Sequence, residues 1–266
     1  MKLKVLVDNN TFINMYYLGE PAVSYYIEDC DTKILFDVGY TDIFLKNAEK
    51  MNIDLNKIDK IVISHGHDDH TKGLTYLLDT KKSIELISHP DSFNYKEDAE
   101  GYIGSPMGIE KLKDVCNLKL SKEPLNISKN IIYLGEIPQS NDFEVRNTIG
   151  KCNKNGLMIE DEVMEDSAIV YKSDKGLFII TGCSHSGICN IIEYAKKVCN
   201  EKRVYGVIGG FHLFNNDERL TKTIKYLEEN NISLLYPCHC VSLEAKIRMA
   251  SRLKINEVGV GLEIDI

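Results

Sequence analysis

A chain of 266 residues with 43% apolar and 27% charged side chains can bury a sizeable core without staples and has an ordinary globular composition. Its net charge of −8 argues against a nucleic-acid partner gripped by its backbone, and no apolar run of about 18 residues offers a membrane span. The eight cysteines lack the spacing of a disulfide framework, and the N-terminus lacks the apolar stretch of a signal peptide, so reduced thiols and a cytoplasmic location are expected.

In chain order, Met1 to Asp8 reads as a strand, and Ala22 to Asp29 and Thr32 to Val38 read as two strands joined by a tight turn. Residues 42–51 look helical, Lys60 to Ser64 is a short strand, Leu74 to Leu78 opens a short helix and Ile84 to Ser88 is a further strand. Residues 89–165 hold much of the irregular sequence, with three glycines and a proline between Gly101 and Gly108. Long loops of this kind are expected to wall a substrate pocket. Beyond them, Ser167 to Lys172 and Leu177 to Thr181 form a second strand pair. A helix over 187–199, a strand Val204 to Ile208, a helix over 217–229 and a strand Leu234 to Tyr236 follow. A helix from 242 to about 252 precedes a final short strand near Val258. Strands alternating with helices predict an α/β architecture in one domain over 1–266, with loop insertions within about 89–165.

The halves can be laid over each other. Ser24–Gly39 aligns without gaps with Ser167–Gly182, and Ile61–His67 then matches Gly206–His212 after a shift of two. This predicts two similar β-β-α-β units whose equivalent strand ends meet at one rim.

His65-Gly66-His67-Asp68-Asp69-His70 is the most informative stretch, and it follows the strand Ile61–Ser64 directly. Three imidazoles and a carboxylate within six residues suit zinc or a similar borderline cation. His65 and His67, two apart, point to the same side of an extended segment, whereas Asp69 and His70 continue into the turn and reach a second position. The stretch therefore supplies two ligands to each of two metal sites. His185, His212 and His239 each lie just beyond a strand's C-terminal end, where open α/β folds place their sites. Cys183, beside His185, is a better thiolate candidate than Cys238 or Cys240, and His89 follows a strand without a partner motif.

Ser64–Leu74 resembles the hallmark of the metallo-β-lactamase superfamily. Val5–Asn9, Ile34–Gly39, Gly135–Pro138, Thr181–Ile188 and Gly209–Leu213 are similar to one of its branches, the dihydropterin ribofuranosylaminobenzene phosphate synthase-like metallohydrolases. The resemblance implies a four-layer αββα sandwich of duplicated origin with a metal pair at one edge. It implies that His65 and His67 serve the first metal, and Asp69, His70 and His239 the second. Cys183 falls at the bridging position, and either His185 or Asp166 fills the remaining ligand place, His185 being favoured. His212 then faces the metals as ligand or proton donor, and Asp37 holds a ligand in place. Two positions depart from the branch: Gln139 stands where many members carry Arg, and Glu20–Val23 where many carry His.

The expected activity is hydrolysis of a small phosphate ester, phosphodiester or acyl compound. Two divalent ions, zinc first, with iron or manganese as alternatives, would lower the pKa of a bridging water. Asp69 would orient the resulting hydroxide, and His212 or His185 would protonate the leaving group. Lys72 and Arg146 are candidate phosphate contacts. The alternatives are a pterin-type synthase using a phosphoribosyl donor and a non-hydrolytic redox or binding scaffold. A small molecule is the expected partner, and a homodimer is the one assembly left open.

Overall fold

Runs of β-branched and aromatic residues set the sheets of this computed structural model, which describes residues 1–77 and 84–266. The strands of the first half are β1 (Lys2–Val7), β2 (Ser24–Asp29), β3 (Thr32–Phe36), β4 (Lys60–Val62) and β5 (Glu85–Ser88). The middle segment adds β6 (Lys96–Asp98), β7 (Gly101–Tyr102), β8 (Asn117–Leu120), β9 (Leu125–Asn126), β10 (Ile131–Tyr133), β11 (Lys151–Lys154) and β12 (Leu157–Glu160). The second half holds β13 (Ala168–Ser173), β14 (Gly176–Thr181), β15 (Val204–Gly210), β16 (Leu234–Cys238) and β17 (Glu263–Asp265). The helices are α1 (Ile43–Lys50), α2 (Asp68–Thr71), α3 (Leu74–Leu77), α4 (Ile109–Val115), α5 (Ile188–Cys199), α6 (Glu218–Glu229) and α7 (Leu243–Ala250). The expected end of α3 at Leu78 lies outside the described residues.

Among the described residues, a seven-stranded sheet ordered β17-β1-β2-β3-β4-β5-β8 faces a six-stranded sheet ordered β16-β15-β14-β13-β10-β9. Tyr25, Ile27, Ile34 and Phe36 of the first sheet meet Ile169, Phe178, Ile180 and Ile208 of the second in one buried cluster. Helix α1 covers the outer face of the first sheet through Phe44 and Ala48. Helix α5 covers the second through Ile188, Ile191, Ile192 and Ala195. Each such aliphatic or aromatic side chain contributes about 1.5–3 kcal/mol when fully buried, so two helix-covered sheets packed face to face account for the αββα layering. Helix α5 stops at Asn200, whose left-handed conformation ends the helix, and Asp217 and Ser242 cap α6 and α7 by accepting from Leu220 N and Ala245 N.

The two halves share the expected plan of an antiparallel hairpin, a helix and a parallel strand, but not the expected register. Both hairpins close with two-residue loops, between the paired residues Asp29 and Thr32 and between Ser173 and Gly176. Tyr25, Ile34 and Phe36 therefore correspond to Ile169, Phe178 and Ile180, which point into the same inter-sheet cluster. The gapless alignment is one residue out. A slip of one would turn every core side chain to the opposite face, so packing overrules the chance identities of Ser, Asp and Gly.

Two further expectations change. The segment 89–165 is not only loop: β11 and β12 pair with β6 and β7 in a small sheet ordered β12-β11-β6-β7, and α4 and β8 extend the first half. No strand forms at Val258; Val260 makes one isolated bridge to Thr11, and the closing strand is β17, which pairs Ile264 with Leu3.

Strands β4, β14, β15 and β16 end at a common rim, each followed by a residue of the His-rich motifs. Four non-glycine residues there, Asp37, Ser184, His212 and His239, hold left-handed backbone with φ of 54°, 59°, 49° and 52°. Each such conformation costs of order 1 kcal/mol or more and turns the chain sharply at the point where a side chain is presented.

Candidate metal centre

The site is assembled from a turn that only glycine can make. A Cβ on Gly66 would lie 2.1 Å from the carbonyl oxygen of Ser92, so His65 and His67 can flank that position only if it stays bare. Ser64, ahead of them, donates its backbone N–H and its hydroxyl to the two oxygens of buried Asp37, both at 2.7 Å. The Ser64 hydroxyl has then no proton left for its neighbour, so the His65 Nδ1–H donates to Ser64 Oγ at 2.9 Å. His65 Nε2 is left as an acceptor, hydrogen-bonded with His67 Nδ1 at 3.0 Å. Asp37 Oδ2 also accepts from His70 Nδ1 at 2.7 Å, which turns His70 Nε2 toward Cys183 Sγ at 3.2 Å and Asp69 Oδ2 at 3.4 Å. One carboxylate thus fixes the ring states of His65 and His70.

Among the described residues, two groups of side chains could hold a metal ion. His65, His67 and His185 bring three nitrogens within 4.8 Å of one another, and Asp69, His70, Cys183 and His239 do the same with O, N and S donors. His239 enters from β16, its Nε2 3.3 Å from Asp69 Oδ2 and its Nδ1 3.0 Å from Asn9 Oδ1, while its backbone N–H donates to buried Asp8. Asp8 and Asn9 directly follow β1, in the Val5–Asn9 segment that resembles the branch, although the resemblance assigned them no role.

The electrostatics suit cation binding. Burial pushes His65 and His185 well below the ordinary imidazole range and His67 down to about 4, so all three present neutral lone pairs. His67 Nε2 and His185 Nε2 are buried without a hydrogen-bond partner. In the second group burial opposes charge on His70, but Asp69 and Asp37 outweigh it and raise its pKa well above the ordinary value. Burial likewise disfavours ionised Asp69, yet His70 and His239 hold it well below the usual carboxylate range. A proton on His70 occupies the electrostatic role that a divalent cation would take over. The donor set of imidazoles, one carboxylate and one thiol fits a borderline transition metal.

The remaining candidates separate. His212 belongs to neither group; its ring lies 4.4 Å from that of His185 and 4.9 Å from that of Phe214, at the edge of the cluster. Asp166 lies outside both groups: its Oδ2 accepts from Ser186 N at 2.8 Å and Ser186 Oγ at 2.5 Å on the loop that carries His185, while its Oδ1 is buried without a partner. Cys240 donates toward the backbone of Cys183, and Cys238 faces Tyr25 inside the core. His89 caps the turn after β5 and meets Glu136 at 3.2 Å. Lys72 sits over the Tyr40 ring at 3.8 Å. Arg146 donates to the carbonyls of Val163 and Ile137. Glu20 is spent on Tyr40 N and Thr41 N, and Gln139 is exposed.

Residues 101–105 do wall the site: Gly104 bridges His67, and Ile103 accepts from Asp68 N. Behind them lies a buried cluster that the sequence did not announce. Lys96 Nζ pairs with Asp161 at 2.5 Å and Glu165 at 2.8 Å, and Glu165 also accepts from Gly66 N at 3.4 Å.

Two sheets, helices on both outer faces and this His-rich rim are the features of one large group of folds, and sequence comparison agrees. The metallo-beta-lactamase superfamily model matches residues 18–149, and the chain belongs to that superfamily. An uncharacterized protein of Methanocaldococcus jannaschii is 34% identical over 251 residues, spanning 93% of each chain. The same organism's 7,8-dihydropterin-6-methyl-4-(β-D-ribofuranosyl)-aminobenzene-5'-phosphate synthase is 31% identical over 262 residues, spanning 92% of this chain and 89% of its own. The crystal structure of Tm1679, a metal-dependent hydrolase of the β-lactamase superfamily, superposes with a TM-score of 0.87 at 29% identity, covering 100% of this chain and 99% of that one. Among the described residues no helix is long and apolar enough to cross a membrane.

Proposed function

We propose that the chain is a dinuclear metal-dependent hydrolase of a small phosphate-containing or ester compound. The observation that carries the reading is the sorting of seven donors into two adjacent groups, His65, His67 and His185 beside Asp69, His70, Cys183 and His239. The unpartnered nitrogens of His67 and His185 support it, because buried polar atoms without partners are costly unless a ligand satisfies them. Zinc suits the donors best, with iron or manganese as alternatives. A bound pair would polarise a substrate oxygen and make water nucleophilic at neutral pH.

The chain's own residues then have distinct tasks. Asp69 holds a carboxylate between His70 and His239 and orients the attacking water. His212, beside His185 and outside both donor groups, offers its imidazole to the departing oxygen. The Gly101–Ser105 strip excludes bulk water on the His67 side. The test is metal content by plasma mass spectrometry together with turnover of phosphomonoester, phosphodiester and carboxylic ester probes. About two equivalents of metal, falling by at least half in both His67→Ala and Asp69→Ala along with turnover, is the expected result. Protein that takes up no metal at micromolar concentrations overturns it.

One finding favours a second reading, a pterin-type synthase: the 31% identical relative carries that name over nearly the full chain. Release of pyrophosphate from a phosphoribosyl diphosphate, without ester hydrolysis, would select it over the hydrolase.

A further inference from the structure

Strands β14 and β16 lie on either side of β15, yet cysteines that follow each of them meet over the end of the strand between. A Cβ on Gly210, the last residue of β15, would lie 2.4 Å from Cys240 Sγ and 3.2 Å from Cys183 Cα. The bare glycine therefore leaves the space in which the two cysteines approach each other. Cys240 Sγ is 3.4 Å from the Cys183 carbonyl oxygen, and the two thiols are close enough to interact directly. Cys238, two residues earlier, turns into the core and meets the Tyr25 hydroxyl at 3.2 Å. The partner of Cys240 is thus set by the fold and not by its neighbour in the sequence.

The two thiols differ in access and in surroundings. Cys183 is buried, with its Sγ 3.2 Å from His70 Nε2 inside the second donor group. Cys240 is partly exposed and belongs to neither group. An accessible thiol beside a buried one is the arrangement in which an oxidant reaches the first sulfur and the second resolves the product. Cys116, Cys152, Cys189, Cys199 and Cys238 are buried, and Cys30 is exposed on the turn between β2 and β3. Cys240 is therefore the accessible thiol that stands beside a candidate metal donor.

We propose that Cys183 and Cys240 are a redox-reactive dithiol, joined into a disulfide by a hydroperoxide, and that this bond withdraws Cys183 from the second donor group. In the first step the Cys240 sulfur attacks one oxygen of hydrogen peroxide. The O–O bond breaks, Cys240 becomes a sulfenic acid, and the other oxygen leaves as water with the thiol's proton. In the second step the Cys183 sulfur attacks the Cys240 sulfur. The S–S bond forms, the S–O bond breaks, and a second water leaves. Its hydrogen comes from the Cys183 thiol or, where a cation holds that sulfur as thiolate, from solvent. The two sulfurs give up two electrons, and the peroxide is reduced to two waters. A disulfide sulfur offers no thiolate to a cation, so the second group is left with Asp69, His70 and His239. That consequence rests on the metal-binding reading of Cys183; the disulfide itself does not.

The test treats zinc-loaded wild type, Cys240→Ser and Cys30→Ser with hydrogen peroxide. Alkylation and peptide mass mapping then locate any crosslink, and a chromogenic chelator reads released zinc. Wild type should give a peptide pair linked through Cys183 and Cys240, lighter by the two thiol hydrogens. It should release about one of two equivalents of zinc, and dithiothreitol with added zinc should reverse both changes. Cys240→Ser should start with the same zinc content, form no such link and release zinc at least about fivefold more slowly. Cys30→Ser, which removes the exposed thiol, should behave as wild type. Wild type without the linked pair, or Cys240→Ser that releases zinc as fast as wild type, overturns the proposal. A linked pair at unchanged zinc content overturns the withdrawal, and with it the place of Cys183 among the metal donors. Protein that binds no zinc before oxidation overturns the metal reading alone, and the peptide map still decides the disulfide.

Discussion

The carboxylate of Asp37 accepts from Ser64 N, Ser64 Oγ and His70 Nδ1, and through Ser64 it also sets the tautomer of His65. An amide in its place must turn an N–H toward one of those donors. Asp37→Asn is therefore expected to weaken metal binding about 10–100-fold while the protein stays folded, read by competition with a chromogenic chelator. Gly66→Ala acts differently: its methyl would sit 2.1 Å from a backbone oxygen that cannot rotate away. It should cost about 1–3 kcal/mol in urea unfolding and disorder His65 and His67 together; an unchanged midpoint would show that the turn can relax. At this scale the cluster was legible because six consecutive residues carry its spacing. His185, His239 and Cys183 were legible because each follows an apolar strand. Lys96 was not, since a single polar residue outside a pattern looks like any surface residue until the chain folds, and Ser64 and Asp8 were marked only by the family resemblance of their segments, which does not give their contacts.

Strand β6 contributes one element-scale feature, the buried Lys96 that pairs with Asp161 and Glu165, the latter reaching the His65–His70 turn at Gly66 N. Removing the cation alone strands two buried carboxylates. Lys96→Met should therefore cost about 3–5 kcal/mol, seen as a lowered urea midpoint. Burial lowers the Lys96 pKa, but Glu165 and Asp161 outweigh it and hold it above the ordinary 10.5. Because the folded value is the higher one, the cluster's contribution is complete below the unfolded lysine pKa and disappears only as pH rises through the folded value. Lys96 itself should thus add no pH dependence between about pH 6 and 9, whereas the stranded carboxylates of Lys96→Met hold protons more tightly and make the variant lose stability as pH rises; a difference from wild type that shrinks with rising pH in that range would show that Lys96 is not charged in the fold. The small sheet itself escaped sequence reading for a physical reason. β12, Leu157 to Glu160, is exposed on both faces and shows no alternation, and β6 has three residues. The hairpins β2–β3 and β13–β14 were visible because both strands of each carry long apolar runs, although their one-residue offset was not, since either register leaves an apolar pattern.

Each donor group draws on both halves of the molecule: His65 and His67 follow β4 while His185 follows β14, and Asp69 and His70 follow β4 while Cys183 and His239 follow β14 and β16. A cation in either group therefore joins the two sheets at their open rim, where the inter-sheet cluster of aliphatic and aromatic side chains gives way to polar residues. Ligand that binds only the folded chain stabilises it by about 2.7–4.1 kcal/mol at 100 to 1,000 times its dissociation constant. For a chain of this size that corresponds to a drop in Tm of roughly 5–15 °C on chelation, at about 2–4 °C per kcal/mol. Differential scanning calorimetry on chelated and metal-restored protein would measure it. If the metals join the halves, His67→Ala and His239→Ala should each lower the Tm of the metal-restored protein while moving the chelated form far less. A chelated form that melts at the same temperature as the restored one would mean that the inter-sheet core alone closes the rim, and that the cost of the clustered imidazoles is met without a cation.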